Sequence, residues 1–471
     1  MPDIQAFLNC SRACLIAPAG YGKTHFIVDC MREAPQKQLI LTHTHAGVAS
    51  LREKLSAGAI PPAKYTLCTI SSLAKDFFLA YANDRDREVP EDDPGFFDHS
   101  VRVATTIVSS KNIQAVLRVS FDGVFVDEYQ DCNIDQHRFI LALSEKIPLR
   151  VLGDPMQGIF AFTDRPRLVS FEQDLSRFDR FELNSPKRWA RDNPRLGEEI
   201  KTIRSLLESG RCGTIDYSRF SEIRHQSGDV PCLIRAIYDE VNLYPNTDSC
   251  LVLPSSSIPL ARIGLAKQLK NGFRLLEAID EKVFYKAAQL VDAFIASGSM
   301  SDFRDLCGLL FLKSPLDNWF NAKGLKRKRN PRDKDASKPV EQALGTFFDA
   351  RSSHSVLAVL SSVENLPDMT CFRFEIRDSL LRAIEESGRT GVSVYESMKM
   401  TRNRIRLVGR KTYRRSIGST LLTKGQEFDH VIIVNRHPRF NLNEDEGRKH
   451  FYVAISRACK SVLVFDVTDR P

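Results

Sequence analysis

The sequence has no CxxC pair and no cysteine/histidine spacing that would build a four-ligand zinc site, although 471 residues include 11 cysteines. An odd, scattered set of this kind argues against a disulfide framework and suits a reducing, cytoplasmic setting. Cys10 and Cys14 form a CxxxC that reads as coincidence. Met1-Pro2-Asp3 does not lead from a basic segment into an apolar one, so no signal peptide is visible. No apolar run approaches membrane-spanning length, and no membrane partner is expected. Charge of one sign is not extreme: the formal net charge of +8 permits a polyanionic partner without requiring one. With 42% hydrophobic residues the chain can build real cores, and its length suits about three domains.

What is present is organised around Ala17-Pro18-Ala19-Gly20-Tyr21-Gly22-Lys23-Thr24. The apolar run Cys14-Leu15-Ile16 before it reads as a buried strand, and His25–Met31 after it reads as the start of a helix. Strand, glycine-rich turn, Lys-Thr and helix is the layout of a phosphate-binding loop, here with Ala17 in place of its first glycine. Gly20 and Gly22 allow a tight turn whose N–H groups point inward at an anion. The helix start adds free donors and positive dipole. Lys23 can reach terminal phosphates, and the Thr24 hydroxyl can ligate Mg²⁺. The cofactors expected are therefore ATP and Mg²⁺.

Three further strand-like runs follow in order. Gln38–Thr42 ends in Thr42-His43-Thr44-His45, with a helix expected from about Ala46 to Leu55. Tyr65–Ile70 precedes another helix at Ser71–Phe78. Gly123-Val124-Phe125-Val126 ends in Asp127-Glu128-Tyr129-Gln130-Asp131, where Asp127 can hold the Mg²⁺ water shell and Glu128 can deprotonate the attacking water. The next strand, from Leu149, ends in Gly153-Asp154 and leads to Gln157, Phe160 and Phe162. Gln157 is placed to sense a γ-phosphate while the two aromatics stack on bases, or alternatively pack in a core.

This ordered set resembles the UvrD/Rep-like helicases of superfamily 1, and the second half extends the resemblance. Leu183–Trp189 is similar to the segment whose arginine, here Arg188, reaches the γ-phosphate from the second lobe. Gly418–Asp429 resembles a later motif, in which Glu427 would hold the ribose while Thr420 and Lys424 face the nucleic-acid strand. Tyr452–Ala458 resembles the last motif, with Arg457 as an arginine finger. The resemblance places Gln5 where an adenine-reading glutamine stands, and implies DNA contacts from Thr42, Thr44, Thr69, Phe160 and Phe162.

The resemblance implies an α/β fold of two RecA-like parallel-sheet domains with small, mostly helical insertions. Residues 1–180 would form the first, with an insertion at about 80–115. Residues 181–280 and 399–471 would form the second, around an accessory insertion at 281–398. Both insertions are short for this family, which is similar to the compact helicase-like partners of Gabija-type anti-phage systems. The expected activity is DNA-stimulated ATP hydrolysis coupled to movement on single-stranded DNA, in repair or anti-phage defence. The alternative is a regulatory ATPase that senses DNA ends and activates a partner nuclease of the OLD type without processive unwinding. No carboxylate–lysine nuclease cluster stands outside the ATP motifs. Two basic stretches remain: Lys323–Lys334, read as a loose loop that either grips phosphate or is merely solvated, and Lys399–Arg415, expected to contact a DNA backbone.

Overall fold

A computed structural model describes residues 2–89, 95–160, 166–210, 213–244, 250–254, 259–269, 273–276, 281–321, 323–408, 414–435 and 440–468. Phe162, Arg410 and Lys411 lie outside the described residues, as do residues 90–94 of the first expected insertion.

The chain opens with α1 (Ile4–Asn9), β1 (Arg12–Ile16), α2 (Lys23–Glu33), β2 (Gln38–Thr42), α3 (His45–Ala57), β3 (Tyr65–Thr69) and α4 (Ile70–Tyr81). It continues through α5 (Phe96–Val108), α6 (Lys111–Ser120), β4 (Gly123–Val126), α7 (Ile134–Leu143), β5 (Leu149–Gly153) and β6 (Asp179–Glu182). The six strands form one parallel sheet in the order β3-β2-β4-β5-β1-β6. Every residue of β2, β4 and β5 is buried, as expected of parallel strands covered on both faces by helices. Leu39, Leu41, Val124, Val126, Leu149 and Val151 share one core with Phe139 and Ile140 of α7. The composition after Ala80 suggests a polar, breaker-rich insertion; α5 and α6 show that its second part is helical.

Next come α8 (Pro194–Glu208), β7 (Ile223–Gly228), α9 (Val230–Leu243), β8 (Cys250–Pro254), α10 (Pro259–Gln268), β9 (Arg274–Leu275), α11 (Glu281–Ser297), α12 (Met300–Leu310) and α13 (Lys313–Trp319). These are followed by β10 (Phe320–Asn321), β11 (Gly324–Leu325), α14 (Pro331–Asp349), α15 (Ser353–Glu364), α16 (Phe374–Thr390) and α17 (Val394–Val408). The chain closes with β12 (Arg415–Ile417), α18 (Thr420–Thr423), β13 (Phe428–Asn435), α19 (Asp445–Ile455) and β14 (Ala458–Val467).

Two compact units result. The first, residues 1–256, 407–414 and 419–471, contains the sheet already described and a second parallel set in the order β7-β14-β13-β8. The fold is thus α/β with two RecA-like parallel sheets, and the loop-bearing carboxyl ends of β1, β2, β4 and β5 share one edge of the first. Ligands bind at such an edge in open α/β sheets. The second unit, residues 257–406 and 415–418, is mostly helical. Its core joins Phe284, Phe294, Phe303, Leu306, Phe347, Val359 and Leu380.

Candidate active site

The loop after β1 is held from several sides. Ala17 N–H donates to the Gly153 carbonyl at 2.9 Å, tying the loop to the end of β5. Gly20 and Gly22 have φ of 75° and 87°, in the left-handed region that favours glycine. A Cβ on Gly20 would stand 2.9 Å from the Trp189 ring, so a methyl group has no room there. The Gly20 carbonyl accepts from the N–H groups of Lys187 and Arg188, each at 2.8 Å. Trp189 is fully buried and its indole N–H donates to the Ala458 carbonyl at 2.7 Å. Gly22 precedes α2 without a capping side chain, so the first N–H groups of this helix face the loop unspent.

Lys23 Nζ lies 2.6 Å from Glu128 Oε1 and 3.0 Å from Asp127 Oδ1. Burial alone would lower the Lys23 pKa, but the two carboxylates outweigh it and hold it above the ordinary lysine value. Burial pushes Asp127 up, against the pull of Lys23. Glu128 is also penalised by burial, yet Lys23 and then Lys424 hold it below the usual carboxylate range, so it is anionic at neutral pH. Glu128 has φ of 55°, a conformation costing a non-glycine residue about 1–2 kcal/mol. The kink turns its carboxylate toward Lys23, while Gln130 Nε2 donates to Oε2 at 2.5 Å. Gln130 Oε1 in turn accepts from Asp154 N at 3.0 Å.

Gln157 links the first sheet to the second. Its Nε2 donates to Asp154 Oδ2 at 2.8 Å, and its Oε1 accepts from Arg457 Nη2 at 3.3 Å. Arg457 is almost wholly buried and spends its other N–H groups on Val453 O, Gln426 O and Ser456 Oγ. Burial, reinforced by the like charge of Arg188, brings its pKa down to about 10, so it remains cationic at neutral pH. Arg188 donates to the Ser456 carbonyl and, at 2.7 Å, to Glu427 Oε1.

A second, buried network has no counterpart among the residues expected from the sequence. Arg204 of α8 donates from Nη1 to both oxygens of Asp154, at 2.7 and 2.8 Å, and to Tyr452 OH at 2.9 Å. Asp154 Oδ2 and Tyr452 OH both accept from Ala19 N–H of the loop at 3.1 Å. One buried guanidinium thus holds the loop, the end of β5 and α19 together. The order of the motifs could have drawn attention to Asp154 and Tyr452; nothing local marks Arg204.

Gln5 Nε2 donates to Glu33 Oε2 at 3.2 Å, on the outside of α1 and α2. Thr24 is half-buried in the first turn of α2. Thr42 ends β2 and is buried. Thr44 and Thr69 cap α3 and α4, accepting from Gly47 N and Ser72 N at 3.0 Å each. Thr420 Oγ1 lies 2.6 Å from His450 Nδ1. Lys424 is buried, with Nζ 2.5 Å from both Asp131 Oδ1 and the Gln157 carbonyl and 4.8 Å from the Phe160 ring centre. Phe160 also faces His43, with ring centres 6.4 Å apart.

Thr24 and Asp127 are one hydroxyl and one carboxylate beside the loop. That donor set fits Mg²⁺, which takes few protein ligands and shares its shell with phosphates and water. Among the described residues no group of three or more histidine, cysteine, aspartate or glutamate side chains could hold a metal by itself.

Residues 3–163 match a family model described as an AAA domain. No curated protein matches the chain. Among solved structures, the complex of Arterivirus nonstructural protein 10 (helicase) with DNA is similar at 10% identity and a TM-score of 0.36. The match covers 99% of this chain and 63% of that one. The structure of the PRRSV helicase is similar at 11% identity and a TM-score of 0.35, over 98% of this chain and 54% of that one. The chain therefore spans less than two thirds of either structure's length.

Proposed function

We propose that the chain is an ATP-driven motor of the UvrD/Rep-like, superfamily 1 kind that moves on single-stranded DNA. The observation that carries this reading is an unbroken polar path. It runs from Lys23 through Glu128, Gln130, Asp154 and Gln157 to Arg457, joining the phosphate loop to the segment before β14.

In this reading the loop N–H groups and Lys23 bind the β- and γ-phosphates. Thr24 and Asp127 would hold Mg²⁺, which supplies charge neutralisation at the phosphates. Glu128 orients the attacking water and takes its proton. Gln157 sets the position of Arg457, and Arg457 and Arg188 offset the charge that develops on the transferred group. Gln5 reads the adenine and Glu427 the ribose. Thr42, Thr44, Thr69, Phe160, Phe162, Thr420 and Lys424 form the path of the strand. A base stacking on Phe160 would bear on the Lys424–Asp131 pair and so on Gln157, which couples strand contact to hydrolysis.

The short α5–α6 insertion favours a second reading, in which the ATPase senses DNA ends and switches a partner nuclease of the OLD type, as in a Gabija-like defence system. Measuring ATP hydrolysis with and without single-stranded DNA, beside a strand-displacement assay, separates these readings. Stimulation with displacement is expected of the motor, and stimulation without displacement selects the sensor. Hydrolysis indifferent to any nucleic acid overturns both.

A further inference from the structure

The second unit carries a cationic segment that the nucleotide chemistry does not use. Between Lys323 and Lys334 stand seven lysines and arginines and one acid, Asp333. Its charge and Pro331 suggest a loose loop, but the segment is anchored at both ends. Lys326 N–H donates to the Trp319 carbonyl at 2.8 Å, and from Pro331 onward the chain is already α14, capped by Asn330.

Between the anchors the exposure alternates. Lys326 and Lys328 are half-buried, whereas Arg327 and Arg329 are exposed. The inward pair is fixed: Lys326 Nζ donates to the Asp317 carbonyl at 2.6 Å and Lys328 Nζ to the Asn318 carbonyl at 2.8 Å. These carbonyls close α13, where a helix favours cations. Lys328 also sits 4.2 Å over the ring of Trp319, itself buried and bonded to the Pro367 carbonyl. A period of two is that of an extended segment, which sets Arg327 and Arg329 on one side about 6–7 Å apart.

Among the described residues no local acid is ion-paired with the outward cations. Asp317 is held by Arg304 at 2.6 Å and Asp335 by Lys338 at 2.8 Å. Asp333 stands in the first turn of α14, where a carboxylate is favoured by the helix itself. Lys323, Arg327, Arg329, Arg332 and Lys334 are all exposed, and among the described residues none of them is ion-paired. A merely solvated loop needs no fixed alternation. Two exposed arginines on one side of an anchored extended segment, with a backbone repeat of about 6–7 Å, suit a polyanion of regular repeat.

We propose that residues 326–329 are a phosphate rail: a second nucleic-acid contact, in the accessory unit, with Arg327 and Arg329 as its backbone-binding groups. The proposal rests on the motor reading, since it adds a contact to a protein already taken to hold DNA.

The test uses the full chain and measures the affinity for a labelled oligothymidylate and for a labelled hairpin duplex across a salt series. R327Q/R329Q is compared with K338Q/R389Q, which removes the same charge from ion-paired exposed sites of the same unit. Each phosphate that is no longer neutralised lowers the slope of log affinity against log salt by about 0.7 for single strands and 0.9 for duplex. A slope reduced in R327Q/R329Q alone, by about 1.4 on the single strand or about 1.8 on the duplex, is expected from two such phosphates, and the probe that shows it identifies which form lies on the rail. ATP hydrolysis without DNA should be unchanged. Equal slopes for R327Q/R329Q and wild type, or an equal reduction in both double variants, overturn the rail and leave the motor reading standing. A wild-type chain that binds neither probe overturns the motor reading itself.

Discussion

Arg457 donates a hydrogen bond to the side-chain oxygen of Gln157, 3.3 Å away in space and 300 residues away in sequence. The bond joins the segment before β14 to the loop after β5. Through Gln157 and Asp154 it reaches the backbone of the phosphate loop.

Replacing Glu128 with Gln keeps the shape of the side chain and removes the carboxylate proposed as the base. The turnover rate is expected to fall roughly 100- to 10,000-fold while ATP still binds. Steady-state hydrolysis beside equilibrium binding of a fluorescent ATP analogue checks this. A variant that turns over normally would remove Glu128 from the role.

Arg457→Ala is expected to lower turnover by roughly 1,000-fold or more, the range of an arginine finger, with a much smaller effect on ATP affinity. Arg457→Lys should rescue little, because lysine cannot reproduce a fork that serves Gln157, Gln426 and Val453 at once. Equal losses in binding and turnover would mean that the residue only supports the fold.

The Arg204–Asp154 pair is buried on both sides, with side-chain exposures of 8% and 0%. Removing one partner strands the other, so Arg204→Met is expected to cost about 3–5 kcal/mol. Combining it with Asp154→Asn should cost less than the sum of the two single changes. Thermal melts of the four proteins read this directly, and strict additivity would show that the pair is not coupled.

Burial pushes Asp131 up to about 7 from an ordinary 3.8, even against the pull of Lys424. Between these values the folded chain holds a proton that the unfolded chain has released. Stability from this group is therefore full below about pH 4 and is lost as pH rises through 7. The melting temperature of the wild type should fall more between pH 5 and pH 7.5 than that of Asp131→Asn. Parallel profiles would show that Asp131 does not titrate there.

Signals carried within a few residues were legible in the sequence. The turn from β1 into α2 needs Gly20 and Gly22, and the acidic pair after β4 follows an apolar strand. Arg204 was not legible, because a mid-helix arginine gives no local sign that its partner stands 50 residues earlier. Nor could Tyr452 announce that its hydroxyl meets Ala19, 433 residues away. Asn330-Pro331 did carry the cap and first-turn signature of α14, and was outweighed by the charge around it. The motif around Lys424 was legible; that its ammonium pairs with Asp131 depends on packing that no spacing encodes.

The protein has two tryptophans, and each stands beside a different candidate binding surface. Trp189 lies under Gly20 of the phosphate loop, and Trp319 lies under Lys328 of the basic segment. Single Trp→Phe replacements would therefore yield two label-free optical probes, one beside the proposed nucleotide site and one beside the proposed polyanion contact. The order in which the two ligands arrive becomes measurable by mixing alone, with no dye attached to either.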